Sequence, residues 1–241
     1  MSIVALDHLT KVYKNGRGIR DLSLRIEKGQ IVGLLGPNGS GKTTTMKIMT
    51  GLLRPDSGKA ILFGADPGED MEKAMQNVGC LIEAPSYYPY LTAKQNLEII
   101  GKLYPSCSLA RTEHVLDQVG LSAYANEKAA KFSSGMKQRL GLAMTLLSEP
   151  ELLILDEPTN GLDIQGMTDV RGLIQDQAGK GRTVLLSSHL AFEIQQVCTH
   201  VVVIQEGELI GTAKVSELLV GYGSVENYYL ALTGKKKEMA S

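Results

Sequence analysis

The sequence has little of what would place it outside a reducing cytosol or inside a membrane. Three cysteines, Cys80, Cys107 and Cys198, are scattered over 241 residues, without a disulfide framework or the spacing of a metal site. No apolar run approaches the roughly 18 residues that a membrane-spanning helix needs, and the N-terminus does not resemble a signal peptide. We therefore expect a cytoplasmic protein that reaches a membrane only through a partner.

The charge balance argues against another class of protein. Basic and acidic residues number 25 and 26, for a net charge of −1, and no basic stripe predicts a nucleic-acid partner. The basic run Lys235–Lys237 is expected to be a solvated tail, with a weak membrane-surface contact as the alternative. With 43% hydrophobic residues, the chain can form one domain, or one domain with an inserted subdomain.

The stretch Gly36–Thr43 fits the pattern G-x-x-x-x-G-K-S/T of a phosphate-binding loop, also called Walker A. It lies between a strand-like run at 31–35 and a segment that can form a helix from Lys42 onwards. Glycines let backbone N–H groups point at phosphate oxygens, the lysine can reach the β- and γ-phosphates, and the threonine hydroxyl can bind Mg²⁺. The predicted ATP-binding residues of this stretch are Gly36, Asn38, Gly39, Ser40, Gly41, Lys42, Thr43 and Thr44.

Periodicity predicts an α/β core interrupted by a helical block. The predicted strands are 3–9, 22–26, 31–35, 59–63, 78–82, 152–155, 183–186, 201–204 and a short strand after Gly207. A capping box at Thr92–Gln95 predicts a helix that carries Leu97, Ile100 and Leu103. The other predicted helices begin near Lys42, cover 111–119, 134–147, 164–178 and 191–197, and include two short helices at the C-terminal end. We expect one domain over 1–241, with a core of 1–83 and 148–241 and a helical subdomain of 84–147.

Acidic residues and a histidine follow two of the buried strands. Asp156 and Glu157 come directly after 152–155, and His189 follows 183–186. Parallel strands bring their carboxyl ends to one edge of a sheet, beside the phosphate loop. There an aspartate can hold Mg²⁺, a second acid can orient or deprotonate water, and an imidazole can sense a γ-phosphate. A lone histidine is more often structural, as we interpret His8, His114 and His200.

Taken in order, these motifs resemble the ATP-binding subunit of ABC transporters over nearly the whole chain. The family's signature, usually Leu-Ser-Gly-Gly-Gln, appears as Phe132–Met136; Asp156 and Glu157 match Walker B, and Asn160–Asp163 matches the D-loop. Tyr13 stands where the family places the aromatic ring that stacks on adenine. The resemblance implies a P-loop NTPase fold, with a RecA-like core, an antiparallel β subdomain and an inserted helical subdomain.

The resemblance also implies an ATP-dependent head-to-tail homodimer. ATP and Mg²⁺ would lie between the phosphate loop of one subunit and the signature residues Ser133, Ser134 and Gly135 of the other. Glu157 would be the general base or water-positioning group, His189 would hold the γ-phosphate, and Lys42 would bind the phosphates. Thr43 and Asp156 would be ligands of Mg²⁺.

The chain departs from the family pattern in two places, the signature and position 83. In the signature, Ser134 replaces the first glycine and Met136 replaces glutamine. Glu83 stands where the family usually has a glutamine that contacts Mg²⁺ or water and relays to the membrane partner. An ionised carboxylate binds Mg²⁺ more strongly but repels the γ-phosphate. We predict that Glu83 is a metal ligand and, with Asp163, a coupling residue; the alternative is an incidental loop acid.

The segments Gly79–Pro85 and Asn227–Gly234 look like the bacterial subgroup of lantibiotic-immunity and bacitracin-resistance ATPases. The implied function is ATP hydrolysis that powers export or membrane removal of a peptide antibiotic. The protein would be peripheral on the inner face of the bacterial cell membrane, bound to transmembrane permease subunits. The alternatives are the ATPase of an unrelated bacterial exporter, a soluble ABC ATPase outside transport, and a small-molecule kinase.

Overall fold

Two β-sheets organise the residues that the computed structural model describes, which are 2–104 and 107–239, with side chains described to residue 234. The strands are β1 (Ser2–Val12), β2 (Gly18–Glu27), β3 (Ile31–Leu35), β4 (Ser57–Leu62), β5 (Val78–Leu81), β6 (Leu152–Leu155), β7 (Thr183–Ser188), β8 (His200–Gln205) and β9 (Glu208–Lys214). One sheet is antiparallel, with strand order β2-β1-β4; the other has the order β5-β6-β7-β3-β8-β9. In the second sheet β5 to β8 pair in parallel, and β9 pairs antiparallel with β8.

The helices lie between these strands and after them. They are α1 (Lys42–Met49), α2 (Met71–Met75), α3 (Ala93–Gly101), α4 (Leu109–Gln118), α5 (Ser134–Leu146), α6 (Ile164–Gly179), α7 (Ala191–Val197), α8 (Val215–Tyr222) and α9 (Val225–Met239), with 3-10 turns at Ser122–Tyr124 and Ala129–Lys131. Sequence reasoning missed α2, whose signal is the N-cap Asp70, which accepts a hydrogen bond from the N–H of Lys73. The capping box before α3 is confirmed. The extension of that helix to Leu103 was wrong, because α3 ends at Gly101 and Leu103 is 72% exposed.

β1 and β2 are longer than their alternation predicts, because bulges break the alternation. Their pairing passes from Leu6 opposite Leu24 to Leu9 opposite Leu22, so β1 gains one residue over β2. His8 has φ 50° and lies within that irregularity. A bulge of this kind shifts the following side chains to the other face of the strand. A strict period of two therefore ends at the bulge, although the strand continues.

Two apolar layers cover the parallel strands, one on each face. On one face, Val32, Leu34 and Leu185 pack with the antiparallel sheet and α1; on the other, Leu35 and Leu186 pack with α6, α7 and the helices between β5 and β6. Burial on both faces explains why these strands are continuous apolar runs. Gly33 lies on the second face, where a Cβ would stand 2.5 Å from Ile194 Cδ1 of α7. The glycine therefore permits close packing of α7 on β3.

Helices α3, α4 and α5 occupy the segment between β5 and β6, where no strand occurs in the described residues 84–104 and 107–147. Their apolar residues share one cluster with those of β6 and β7. A division into a core and a helical subdomain at 83/84 and 147/148 stays a prediction. In the described ranges, no helix combines the length and apolar composition needed to cross a bilayer. Lys235–Lys237 lies in α9. The prediction that its side chains are solvated concerns residues beyond 234, outside those whose side chains the structure describes.

The packing of α5 against β5 yields a stability prediction. A Cβ on Gly141 would stand 2.7 Å from Pro85 Cβ and 3.1 Å from Leu81 Cδ1. Gly141→Ala should therefore destabilise the protein by about 1 kcal/mol or more, because overpacking outweighs the helix-propensity gain of about 1 kcal/mol. Urea unfolding followed by circular dichroism measures the change.

The matched control is Gly172→Ala, at an exposed glycine of α6. Apart from its chain neighbours and the nearby backbone of its own helix, no atom of the described residues lies within 4 Å of the position that the added methyl group would take. This variant should raise the free energy of unfolding by about 0.5–1 kcal/mol. Equal stabilisation by both alanines would show that α5 does not need the close approach.

Candidate active site

The parallel pairing of β3, β7 and β6 places the predicted functional groups along one edge of the sheet. The register pairs Leu35 with Ser188, and Leu155 with Leu186, so the three strands end side by side. The phosphate loop follows β3, Asp156 follows β6, and His189 follows β7. The expected juxtaposition of these groups is therefore confirmed.

The loop between β3 and α1 forms a cradle of backbone donors. Gly39 and Gly41 have φ 82° and 111°, which side-chain-bearing residues rarely adopt. The first turn of α1 leaves its N–H groups without intrahelical acceptors, and its N-cap, Gly41, supplies no side-chain bond. The buried hydroxyl of Ser40 has no hydrogen-bond partner among the residues that the structure describes. These donors suit an anionic ligand.

Lys42 is a buried cation directed into this cradle. Its ammonium donates to the carbonyl oxygens of Gly36 at 2.7 Å and Pro37 at 3.3 Å, and lies 3.5 Å from Glu157 Oε1. A buried ammonium needs compensating acceptors. Two carbonyl groups and one carboxylate fill that role here.

Asp156 is the centre of a hydroxyl–carboxylate network. Thr43 donates to Asp156 Oδ2 at 2.8 Å, and Ser187 donates to Asp156 Oδ1 at 2.6 Å. Ser187 also accepts from the N–H of Glu157 at 2.8 Å. Sequence reasoning did not assign Ser187 a role; the available signal was its position at the end of the strand beside Asp156. In the described part of the chain, no group of three His, Cys, Asp or Glu side chains could hold a metal.

Glu157 adopts a strained backbone conformation and contacts His189. Its φ is 46°, in the left-handed region that costs a non-glycine residue about 1 kcal/mol or more. His189 Nδ1 lies 2.8 Å from Glu157 Oε2. Because an ionised carboxylate only accepts hydrogen bonds, this contact assigns a proton to Nδ1. Because Glu157 Oε1 also lies 3.5 Å from Lys42 Nζ, the carboxylate faces the phosphate loop.

An open cleft of about 420 Å³ adjoins these groups. Tyr13, which is 40% exposed, lines it together with Asn15, Arg17, Thr44 and Glu157. Asn15 and Arg17 belong to a turn to which sequence reasoning gave no binding role. Arg17 is a positively charged residue that follows Tyr13 closely in the sequence. That position was the signal that could have indicated a further contact of the protein with phosphate or ribose.

The signature residues line a second cleft, of about 390 Å³. Ser133 is the N-cap of α5 and accepts from the N–H of Met136 at 3.2 Å, so the predicted helix start is confirmed. Ser134, Gly135 and Asp163 line the same cleft. The two clefts have no lining residue in common within the described ranges. One chain therefore does not bring its signature to its own phosphate loop.

Glu83 and Asp163 lie outside the network of Asp156. The Glu83 carboxylate is 63% exposed and pairs with Lys47 Nζ at 2.6 Å, and its backbone has φ 62°. Asp163 is the N-cap of α6 and accepts from the N–H of Gly166 at 2.8 Å. The metal-ligand role of Glu83 and the coupling roles of both residues stay predictions.

The family model described as ABC transporter matches residues 19–160. That span contains the phosphate loop, the signature, and Asp156 with Glu157. The chain belongs to the ABC transporter family. It is an ATP-binding, ATP-hydrolysing subunit of P-loop fold, which confirms the fold prediction and excludes the small-molecule kinase.

The chain is also similar to individual ABC ATPases whose sequences or structures are known. The bacitracin transport ATP-binding protein BcrA of Bacillus licheniformis is 41% identical over 210 residues, which cover 87% of this chain and 69% of that protein. A solved ATP-binding subunit of an ABC transporter superimposes with a TM-score of 0.85 at 27% identity, over 96% of this chain and 99% of the other. The dimeric post-hydrolysis state of the ATP-binding cassette MJ0796, bound to ADP and Pi, has a TM-score of 0.78 at 25% identity, over 88% and 98%.

The network of Asp156 yields a prediction for Ser187→Ala. The variant leaves the N–H of Glu157 and one oxygen of Asp156 without their present partner. We expect the ATPase kcat to fall about tenfold. Because Asp156 is a predicted Mg²⁺ ligand, the Mg²⁺ concentration for half-maximal activity should also rise, since loss of a partner that orients a ligand weakens metal affinity by about 10–100-fold. Steady-state ATPase assays over a Mg²⁺ titration measure both.

The control is Ser188→Ala at the same strand end. Ser188 accepts from the N–H of Leu190 and has no contact with Asp156 in the described hydrogen bonds. This variant should leave the Mg²⁺ requirement unchanged. If Ser187→Ala also kept the wild-type Mg²⁺ requirement, Ser187 would have no role in orienting a metal ligand.

Proposed function

We propose that this ABC ATPase binds MgATP in the cleft beside Lys42 and hydrolyses it with Glu157 as the general base. The observation that carries the proposal is the position of the Glu157 carboxylate, between the Lys42 ammonium at 3.5 Å and the His189 ring at 2.8 Å. The triphosphate would accept hydrogen bonds from the loop that contains Gly39, Ser40 and Gly41. Tyr13 would stack on the adenine at the exposed side of the cleft, for about 1 kcal/mol.

The residues beside the loop fit a magnesium ion. Mg²⁺ prefers hard oxygen ligands, and is commonly bound by one or two protein oxygens together with substrate phosphates and water. Thr43 Oγ1 and Asp156 Oδ2 are 2.8 Å apart, and Ser187 holds the other Asp156 oxygen. When bound, the ion would neutralise charge on the β- and γ-phosphates. Glu83 is the proposed further ligand, and reaching the ion would require it to leave Lys47.

The charges in the site suggest how the γ-phosphate prepares the base. Phosphate oxygens would compete for the Lys42 ammonium and draw it away from Glu157. The carboxylate then loses a cation and becomes a better acceptor for the proton of an attacking water. His189 donates an N–H hydrogen bond from Nδ1 to Glu157, which fixes the direction of the carboxylate. We propose that the same ring also lies beside the γ-phosphate.

A second copy completes the site in this proposal. The signature cleft is separate from the phosphate-loop cleft, and Ser133 begins α5 so that the positive end of the helix faces outward into that cleft. A head-to-tail homodimer would bring Ser133, Ser134 and Gly135 of one copy to the ATP of the other. The dimeric state of the similar cassette MJ0796 supports this arrangement. Because γ-phosphate contacts form only with ATP, ATP favours the closed dimer.

For the transport step, we propose removal or export of a peptide antibiotic through transmembrane permease subunits. The similarity to the bacitracin transport protein supports this substrate class; an unrelated bacterial exporter is the alternative. The subunit would be peripheral on the inner face of the membrane, with 84–147 as the helical subdomain. Exposed Tyr88 and Tyr90 lie close after Glu83 in the chain, and with Glu83 and Asp163 they would take part in coupling to the permease.

The role of Glu157 predicts the behaviour of Glu157→Gln. The amide keeps the shape of the side chain but cannot accept a proton, so kcat should fall at least about 100-fold while ATP affinity is retained. ATP-bound dimers should accumulate, and size-exclusion chromatography in the presence of ATP should detect them as a larger dimer fraction than in wild type. Single-turnover ATPase assays and nucleotide titrations measure the two effects.

Glu151→Gln is the matched control, because Glu151 precedes the same strand β6 at the opposite end and pairs with Lys28 on the surface. It should hydrolyse ATP at the wild-type rate. If Glu157→Gln hydrolysed ATP at the wild-type rate, Glu157 would not be the general base.

The substrate class predicts a survival phenotype. Co-expression of the chain with its native permease subunits in a sensitive Gram-positive host should protect against bacitracin or a lantibiotic. Glu157→Gln should give no protection, because transport needs hydrolysis. The measurement is the minimal inhibitory concentration over a panel of both antibiotic types. An assembled, ATP-hydrolysing complex that protects against none of them would exclude the antibiotic class.

A further inference from the structure

A buried carboxylate, that of Glu193, lies behind the reacting groups and has no role in the proposal above. Glu193 is in the first turn of α7 and only 6% exposed. Thr159, which is also buried, donates its hydroxyl hydrogen bond to Glu193 Oε2. Arg171 Nη2 lies 3.9 Å from Glu193 Oε1. An ionised group in this environment is expensive unless its partners hold it.

Each partner belongs to a different segment of the candidate site. Thr159 lies in the turn that begins at Glu157, where the N–H of Asn160 donates to the carbonyl of Glu157 at 3.0 Å and the N–H of Leu162 donates to that of Thr159 at 3.2 Å. Arg171 lies in α6, which Asp163 caps. Glu193 lies in the helix that follows His189. The carboxylate thus connects the turn of the general base with the helix beyond the histidine.

The packing of α6 on α7 does not by itself require this charge. Val170, Ile174, Ile194 and Val197 belong to one buried apolar cluster, and Gln175 donates to the carbonyl of Gln196 at 3.3 Å. A buried ion pair can often be replaced as a whole by apolar side chains without loss of stability, whereas removal of one partner leaves the other charge unpaired. What an apolar side chain cannot reproduce is the directional bond to Thr159, which constrains the turn rather than the helices.

We propose that Glu193 is a positioning residue for ATP hydrolysis, which acts through Thr159 to hold Glu157 at its working distance from His189. Glu193 itself touches neither nucleotide nor water in this scheme. The inference rests on the proposed role of Glu157 as general base. A small displacement of a reacting group can lower a rate by about 100-fold, so the constraint acts on kcat rather than on ATP binding.

Three single variants of the full chain separate positioning from folding. Thr159→Val keeps the side-chain shape and removes the donor, and Glu193→Met removes the acceptor. Each should lower kcat about 10–100-fold, because the turn is no longer fixed, with a KM for ATP within about twofold of wild type, since ground-state binding is untouched. Glu193→Gln keeps an oxygen acceptor for Thr159 and should retain most of the wild-type kcat.

A double variant and a matched control complete the test. Thr159→Val combined with Glu193→Met should be no slower than Glu193→Met alone, because both remove one bond. Thr168→Val is the control, since the Thr168 hydroxyl donates within the exposed start of α6, to the carbonyl of Ile164. Its kcat should equal that of wild type.

Two results would overturn the inference. One is wild-type kcat in both Thr159→Val and Glu193→Met; the other is a fall of kcat, ATP affinity and melting temperature together in Thr159→Val, which indicates a structural role only. Glu157→Gln, assayed in parallel, separates the two levels of the proposal. If Glu157→Gln hydrolyses ATP at the wild-type rate, the base assignment is overturned. If Glu157→Gln loses activity while Thr159→Val and Glu193→Met both keep the wild-type kcat, the role of Glu193 alone is overturned.

Discussion

The parallel pairing of β6, β7 and β3 is the constraint on which the site depends. Because the three strands run in one direction and end in register, the residues that follow them meet at one sheet edge although they are far apart in sequence. Two apolar layers fix these strands from both faces. This frame brings Glu157 within ion-pair distance of Lys42 and hydrogen-bonding distance of His189, and Asp156 within hydrogen-bonding distance of Thr43.

The charges at this edge balance one another within the chain. Lys42 is held by carbonyl oxygens and Glu157, Asp156 by two hydroxyls, and Glu157 by His189. Lys42 and Asp156 are buried, so the loss of their partners would leave a buried charge uncompensated. MgATP brings both signs of charge, so it can replace these internal partners without leaving a buried charge unpaired. The same residues can therefore pair with one another in the absence of nucleotide and take part in hydrolysis once MgATP is bound.

Sequence reasoning found the groups whose positions are encoded locally. Gly36–Thr43 and Asp156 with Glu157 follow strands directly, so motif and strand together place them. Ser187 and Glu193 were missed, because their partners are set by register between strands and by the packing of α7 on the sheet, neither of which has a local pattern. The bulge at His8 likewise lengthened β1 beyond its alternation. The end of α3 before Leu103 was missed since an apolar residue at helical spacing does not show where a helix stops.

The turn from Glu157 to Asp163 connects the two clefts of one chain. Glu157 lines the phosphate-loop cleft, whereas Gly161, Leu162 and Asp163 line the signature cleft. Side chains from three other elements hold the first three residues of this turn. Ser187 bonds the N–H of Glu157, Gln138 bonds the carbonyl of Pro158, and Glu193 bonds the hydroxyl of Thr159. In a head-to-tail dimer, each nucleotide would contact the beginning of one turn and the end of the other. Bonds to three successive residues leave the beginning of this turn, which carries Glu157, little conformational freedom.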